Sequence, residues 1–279
     1  MGAAITSAAD ITVAETQPRA RGEVMLSAHH DGRTRLRDLR QSGCMKVLFP
    51  NTGRDFQAVL LNSSGGVTGG DRLSVAARAQ AGSHLTLTSQ AAERIYAAQP
   101  GHLGRVTNRL TVDAGARLDW LPQETILFDS AALERLLEVD LAETARFLMV
   151  EALVLGRAAM GEQVKTLHLD DRVSLRRGGR LLWADATRLD SASLPALSGR
   201  ATLNGAGAMA LAAYAGPDAE AYLEPLRALT DALPAAVSLA RPDLVVLRAV
   251  AADSYVLRKT LIPALELLRG SKLPRTWTI

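Results

Sequence analysis

Between residues 22 and 185 the sequence is cut repeatedly by glycine, proline and Asp-Gly signals, and the pieces left between them are short and strand-like. Residues 23–29 and 34–39 flank His30-Asp31-Gly32-Arg33, where Asp-Gly predicts a hairpin. Further strands are predicted over 45–49, ending at Pro50, and over 57–61, running into a cluster of glycines. Residues 73–79 and 84–89 follow, with Leu85 and Leu87 alternating with Thr86 and Thr88. Strands over 109–112, 117–121 and 125–128 are separated by Asp113, Gly115 and Pro122. Those over 163–169, 172–175 and 180–184 complete the set, with Gly178-Gly179 as a tight turn. Residues 140–155 carry alanine that favours helix and Val and Phe that favour strand, and they read as a pair of strands.

The last third changes character. Tyr222, Leu223, Leu226 and Leu229 lie near helical spacing in 218–233, after Pro217. In 260–269, Leu261, Leu265 and Leu268 share a face, Pro263 falls in the predicted first turn, and Gly270 supplies a stop. The expected fold is mainly β, a β-helix-like stack of short strands with two C-terminal helices. The β-rich core spans about 22–210 and the helical part about 217–270, within one domain over 19–279. Residues 1–18, rich in Ala, Thr and Ser, read as a disordered extension and lack the charge and apolar stretch of a signal peptide.

Composition excludes several functions. Apolar residues are 48% of the 279, enough for a large core, and 32 basic against 29 acidic residues are spread along the chain without a basic stripe. A dedicated nucleic-acid binder is therefore not expected. Cys44 is the single cysteine, which excludes an internal disulfide and thiolate metal sites and agrees with a cytoplasmic location. Apolar runs such as 147–155 are too short to cross a bilayer.

Familiar catalytic motifs are absent: there is no Gly-x-Ser-x-Gly, no His-Glu-x-x-His, no Walker A and no Cys-x-x-Cys. Gly65-Gly66-Val67-Thr68-Gly69-Gly70 lacks the lysine of a phosphate loop and leads into a strand, so it reads as a tight connection that depends on Gly65, Gly66, Gly69 and Gly70. Gly205-Ala206-Gly207-Ala208-Met209-Ala210 fits the dinucleotide fingerprint superficially, without a βαβ unit around it. The five histidines are scattered, and the adjacent His29 and His30 would point to opposite faces of a strand.

Three blocks carry a resemblance. The first is Leu60-Leu61-Asn62-Ser63-Ser64-Gly65-Gly66-Val67-Thr68-Gly69-Gly70-Asp71-Arg72-Leu73. The second is His84-Leu85-Thr86-Leu87-Thr88-Ser89-Gln90-Ala91-Ala92-Glu93-Arg94-Ile95-Tyr96. The third, Gly115-Ala116-Arg117-Leu118-Asp119-Trp120-Leu121-Pro122-Gln123-Glu124-Thr125-Ile126, is the most specific. In content, order and spacing they resemble the signature of the urease accessory protein UreD (also UreH) family. Weaker echoes are Gly156-Arg157-Ala158-Ala159-Met160-Gly161-Glu162, Trp183 before an acidic residue, and Leu273-Pro274-Arg275-Thr276-Trp277. Ser63-Ser64, Ser89, Asp119 and Asp185 depart conservatively from the family pattern.

The resemblance implies a stacked-strand fold with two helices and no turnover of its own. It also implies a complex with UreF, the GTPase UreG and apo-urease, and passage of nickel through a polar channel. No tightly bound cofactor is expected, only a transient nickel ion. A conduit should hold nickel weakly and in succession, with carboxylates and hydroxyls in place of thiolates or histidine clusters. Asp71, Glu124 and Glu162 lie inside the matched motifs and are candidates for that path, with His84 beside them and Thr86 and Thr88 on one strand face. Each also has a structural reading: Asp71 as acceptor for the glycine turn, Glu124 and Glu162 as partners of arginines. Leu273 and Trp277, in the apolar tail, are candidates for docking UreF or for packing on the sheet. Two other readings are a plain interaction scaffold and a carbohydrate-active enzyme. The latter needs paired carboxylates and an aromatic cleft, for which 4% aromatic residues is meagre.

Overall fold

A computed structural model describes residues 18–52, 56–157 and 160–278, so residues 1–17 of the expected disordered extension lie outside the described residues. The chain winds as a β-solenoid of about four turns, in which successive strands are laid alternately on two facing sheets. It opens with the hairpin β1 (Arg21–Asp31) and β2 (Arg33–Gly43), then β3 (Met45–Leu48) and β4 (Phe56–Asn62). The coils follow as β5 (Arg72–Ala79), β6 (His84–Ser89) and β7 (Glu93–Ile95), then β8 (Gly104–Val112), β9 (Arg117–Leu121) and β10 (Thr125–Leu127). Next come β11 (Ala131–Leu141), β12 (Arg146–Leu155), β13 (Leu167–Arg177) and β14 (Arg180–Asp190).

The first sheet runs β14-β13-β11-β8-β5-β1-β2, and β3, β4, β6, β9 and β12 build the second. Pairing is parallel from β1 to β13 in the first sheet and from β4 to β12 in the second. Antiparallel strands close both ends of the solenoid: β2 and β3 at one, β14 and β15 (Ala208–Ala215) at the other. Beyond β15 come α1 (Leu223–Thr230), β16 (Ala235–Arg241), β17 (Leu244–Ala251) and α2 (Ser254–Arg269), the two strands extending the second sheet.

The two sheets differ in what covers them, and their sequences follow. The first has one face against the second sheet and one in solvent, so β11 buries every other residue. The second is covered on both faces. Phe147, Met149 and Leu153 of β12 join the core between the sheets. Leu148, Val150 and Ala152 pack in a second core with Leu257, Leu261 and Leu265 of α2. An apolar run buried on both sides has no strand period, which is why residues 140–155 looked ambiguous; they form the end of β11 and β12, a pair of strands as expected.

Several boundaries differ from the sequence expectation. The segments read as 163–169 and 172–175 merge from Leu167 onwards into one strand, β13, in which Asp171 turns inward to an arginine while Asp170 pairs outside with Arg172 and Arg188; residues 163–166 lie before it. The stretch expected to be helical also contains β16 and β17, and the glycine-flanked alanines that mimic a dinucleotide fingerprint lead into β15. Helix α2 begins at Ser254, where Asp253 accepts from the Val256 amide at 2.8 Å, so Pro263 lies inside the helix and not in its first turn. Gly270 ends it in the left-handed conformation, as predicted.

Candidate functional site

The three motif blocks, on successive turns of the solenoid, meet at one corner. Val67 bridges Ile95, and β7 pairs in parallel with β10, which pairs in turn with β12. The glycine block is shaped by this stacking. Gly66 has φ +155°, and a Cβ there would lie 2.6 Å from the Arg94 carbonyl and 2.4 Å from the Tyr96 ring; one at Gly69 would lie 2.7 Å from the His102 carbonyl. The Tyr96 hydroxyl donates to the Gly65 carbonyl, and Asn62 Nδ2 donates to the Gly66 carbonyl and to Glu93.

Behind this corner lies a cavity of about 370 Å³, walled by Asn62, Glu93, Asn108, Trp120, Arg135 and Glu151 among others. Gly65, Gln90 and Ala91, all exposed, border its outer end. A second cavity of about 180 Å³ is walled by Glu151, Asp171, Asp185 and Arg248 among others. Glu151 belongs to both.

The partition is a buried ionic network. Arg135 and Asp171 face each other in register on β11 and β13, and Glu151 faces them from β12 on the other sheet. Their exposures are 7%, 7% and 5%. Arg135 Nε and Nη2 donate to the two oxygens of Asp171 at 2.9 and 2.6 Å, and Nη1 donates to Thr125 Oγ1 at 2.8 Å. Nη1 also lies 2.7 Å from Glu151 Oε2, while Glu151 Oε1 accepts from Trp120 Nε1 at 2.8 Å. One guanidinium thus answers two carboxylates. Burial works against its charge, but Asp171 and Glu151 outweigh that and hold the Arg135 pKa above its ordinary value. Asp171 takes the bidentate fork. Burial, with Asp171 adding to it, pushes the Glu151 carboxyl up despite Arg135. Glu93 is pushed up to about 6, by burial first, with the Asn62 hydrogen bond pulling the other way.

Comparison with known proteins agrees with the motifs. The family model described as "UreD urease accessory protein" matches residues 20–278. The chain belongs to the UreD family. It is similar to the urease accessory protein UreD of Ruegeria pomeroyi, 50% identical over 86% of this chain and 94% of the relative. With that of Rhizobium etli it is 48% identical over 96% and 99%, and with that of Roseobacter denitrificans 45% over 94% and 96%.

Arg135, Glu151 and Asp171 were not singled out from the sequence, although a signal exists. Leu133, Arg135 and Leu137 share the inward face of β11, and Leu169, Asp171 and Val173 that of β13, so in each strand a charge occupies an apolar position. Glu151 interrupts an otherwise apolar run. The residues picked from the UreD motifs lie elsewhere and apart. Asp71 accepts from the Ala20 amide at 2.7 Å and the Thr68 amide at 2.8 Å, closing the glycine turn. Glu124 takes Nε and Nη2 of Arg258 on α2, at 2.5 and 2.7 Å. Glu162 accepts from Arg157 Nε at 2.9 Å and from the Arg157 and Asp129 amides. His84 Nε2 lies 2.8 Å from Asp119. Each is held by protein, and among the described residues no three His, Cys, Asp or Glu side chains gather as a metal site. Leu273 and Trp277 are buried in the second core, where Trp277 Nε1 donates to the Leu121 carbonyl at 3.1 Å, so their side chains offer no surface to a partner. No helix among the described residues is long and apolar enough to cross a membrane.

Proposed function

We propose that this UreD-family chain serves urease maturation as a non-catalytic subunit. It passes nickel to apo-urease along carboxylates between its two sheets, within a cytoplasmic complex with UreF and UreG. The observation that carries this reading is Glu151, a buried carboxylate shared by two cavities. Glu93 lies in the wall of the first cavity, Asp171 and Asp185 in that of the second, and Glu151 in both. Carboxylate oxygens hold a borderline cation more loosely than thiolates or histidine clusters, and release is what a conduit requires.

The test is nickel per urease active site after activation by complexes carrying Glu151→Gln or Asp171→Asn. Both substitutions keep the shape and remove a charge. Expected is a fall of about fivefold or more at unchanged complex yield, corresponding to about 1 kcal/mol or more in ion transfer. A role as plain scaffold predicts nickel at the unmodified level, and that result would refute the passage.

A further inference from the structure

A cation passing from the first cavity to the second by way of Glu151 meets Arg135, whose Nη1 lies 2.7 Å from Glu151 Oε2. Arg135 borders only the first cavity, Asp171 only the second, and Glu151 both, so the wall between them is the ion pair itself. The guanidinium engages both carboxylates at once, forked on Asp171 and reaching across to Glu151. An arginine does not yield such a place by losing its proton, because its pKa lies far above any physiological pH. It yields only by moving.

We infer that Arg135 is a gate, a built-in counter-cation that keeps Asp171 and Glu151 closed to divalent ions until its head group swings into the first cavity. The inference rests on the nickel-passage reading above and names the regulation of that same site. Two physical points carry it. Leaving two buried carboxylates without a cation is costly, whereas exchanging one cation for another is not, so the gate opens as the ion arrives. A divalent ion has the larger Coulombic claim on the same oxygens. The withdrawing guanidinium also has somewhere to go, since the first cavity offers about 370 Å³ and has Glu93 and Asn108 in its wall. A site pre-filled by its own cation cannot trap the ion it passes.

Removing the gate should therefore turn a passage into a trap. The full chain in its accessory complex, unmodified or carrying Arg135→Met, is dialysed to equilibrium against Ni²⁺ alone. The variant should bind one further ion per chain about tenfold or more tighter than the unmodified complex binds any at this site, and it should deliver less nickel to urease because it retains it. Adding Asp171→Asn to Arg135→Met should abolish the gained ion. Arg135→Lys keeps the charge, so it folds even where Arg135→Met does not, and one ammonium cannot fork Asp171 and reach Glu151 together. It should show a smaller gain. No gained ion in either variant, or a gained ion that survives Asp171→Asn, overturns the gate. The passage reading fails separately, if Glu151→Gln and Asp171→Asn alone deliver nickel at the unmodified level.

Discussion

Compared side by side, two buried ionic clusters among the described residues have opposite compositions. Between the sheets, one guanidinium serves two carboxylates and a cavity lies on either side. Under α2, one carboxylate is surrounded by two arginines and a histidine. Asp119, with no exposed surface, accepts from Arg117 Nε at 2.8 Å and Arg269 Nε at 3.1 Å and meets His84 Nε2 at 2.8 Å; neither cavity reaches it. Burial alone would raise the Asp119 pKa, but the His84 hydrogen bond and the Arg117 charge override it and hold the carboxyl well below its ordinary range. Through Arg269 the Asp119 cluster ties the last turn of α2 to β6 and β9. The Arg135 cluster has more negative than positive charge and room beside it. The same chemistry makes a lock where cations exceed carboxylates, and a place for a travelling cation where carboxylates exceed cations.

The lock should break hardest. Asp119→Ala leaves Arg269 buried and Arg117 nearly so, without their shared partner, and should cost about 3–5 kcal/mol in denaturant unfolding. Nickel delivery by whatever complex still assembles should be unchanged. A loss below about 1 kcal/mol, or delivery lost with stability intact, would erase the contrast between the two clusters. Next comes the anchor of α2. Arg258→Ala frees Glu124 and removes the guanidinium 5.4 Å from the Trp277 ring, and should cost about 1–3 kcal/mol, read as a lower unfolding midpoint. Asp71→Asn and Glu162→Gln fall below that. They replace charged acceptors of backbone amides by neutral ones and should leave delivery intact, unlike Glu151→Gln.

Much of the fold was legible because many turns are written in glycine and several strands in alternation. The glycine block, the Asp-Gly hairpin and the strands at 73–79, 84–89 and 117–121 need little beyond period and punctuation. What resisted was physical in each instance. Ala208, Ala210 and Ala212 of β15 are small because α2 and its tail press on that face, and alanine carries no strand preference to announce it. In β13 the pair Asp170 and Asp171 resembles a loop until one is known to turn inward. The interior site was missed for a related reason. Motif reading favours carboxylates beside glycine turns, and Asp71, Glu124 and Glu162 are each held there by an amide or an arginine. A charge at an apolar position of an alternating strand, as with Arg135, marks the interior more directly. That mark needs the strand to be recognised first, and β11 was not read before residue 140.

The last expected effect sets the first cavity against the Asp119 cluster by the sign of its pH dependence. Glu93, at the outer part of the first cavity, has its carboxyl pushed up to about 6 from an ordinary 4.5, chiefly by burial. The folded chain therefore binds this proton more tightly than the unfolded chain does. Its contribution is neutral below the ordinary value, becomes a growing penalty as pH rises towards about 6, and is constant above. Asp119 runs the other way: its stabilisation is complete above the ordinary aspartate range and is lost as pH falls through its depressed value. Glu93→Gln keeps an acceptor for Asn62 and removes the charge. It should gain about 1–2 kcal/mol over the unmodified chain at pH 7 and nothing at pH 4.5, while the fall in stability at still lower pH, owed to Asp119, should persist in both. Unfolding midpoints of the two proteins across that range give the comparison. A constant offset between them would mean that Glu93 bears no burial penalty. The first cavity would then be wet enough to keep its carboxylate ionised without cost.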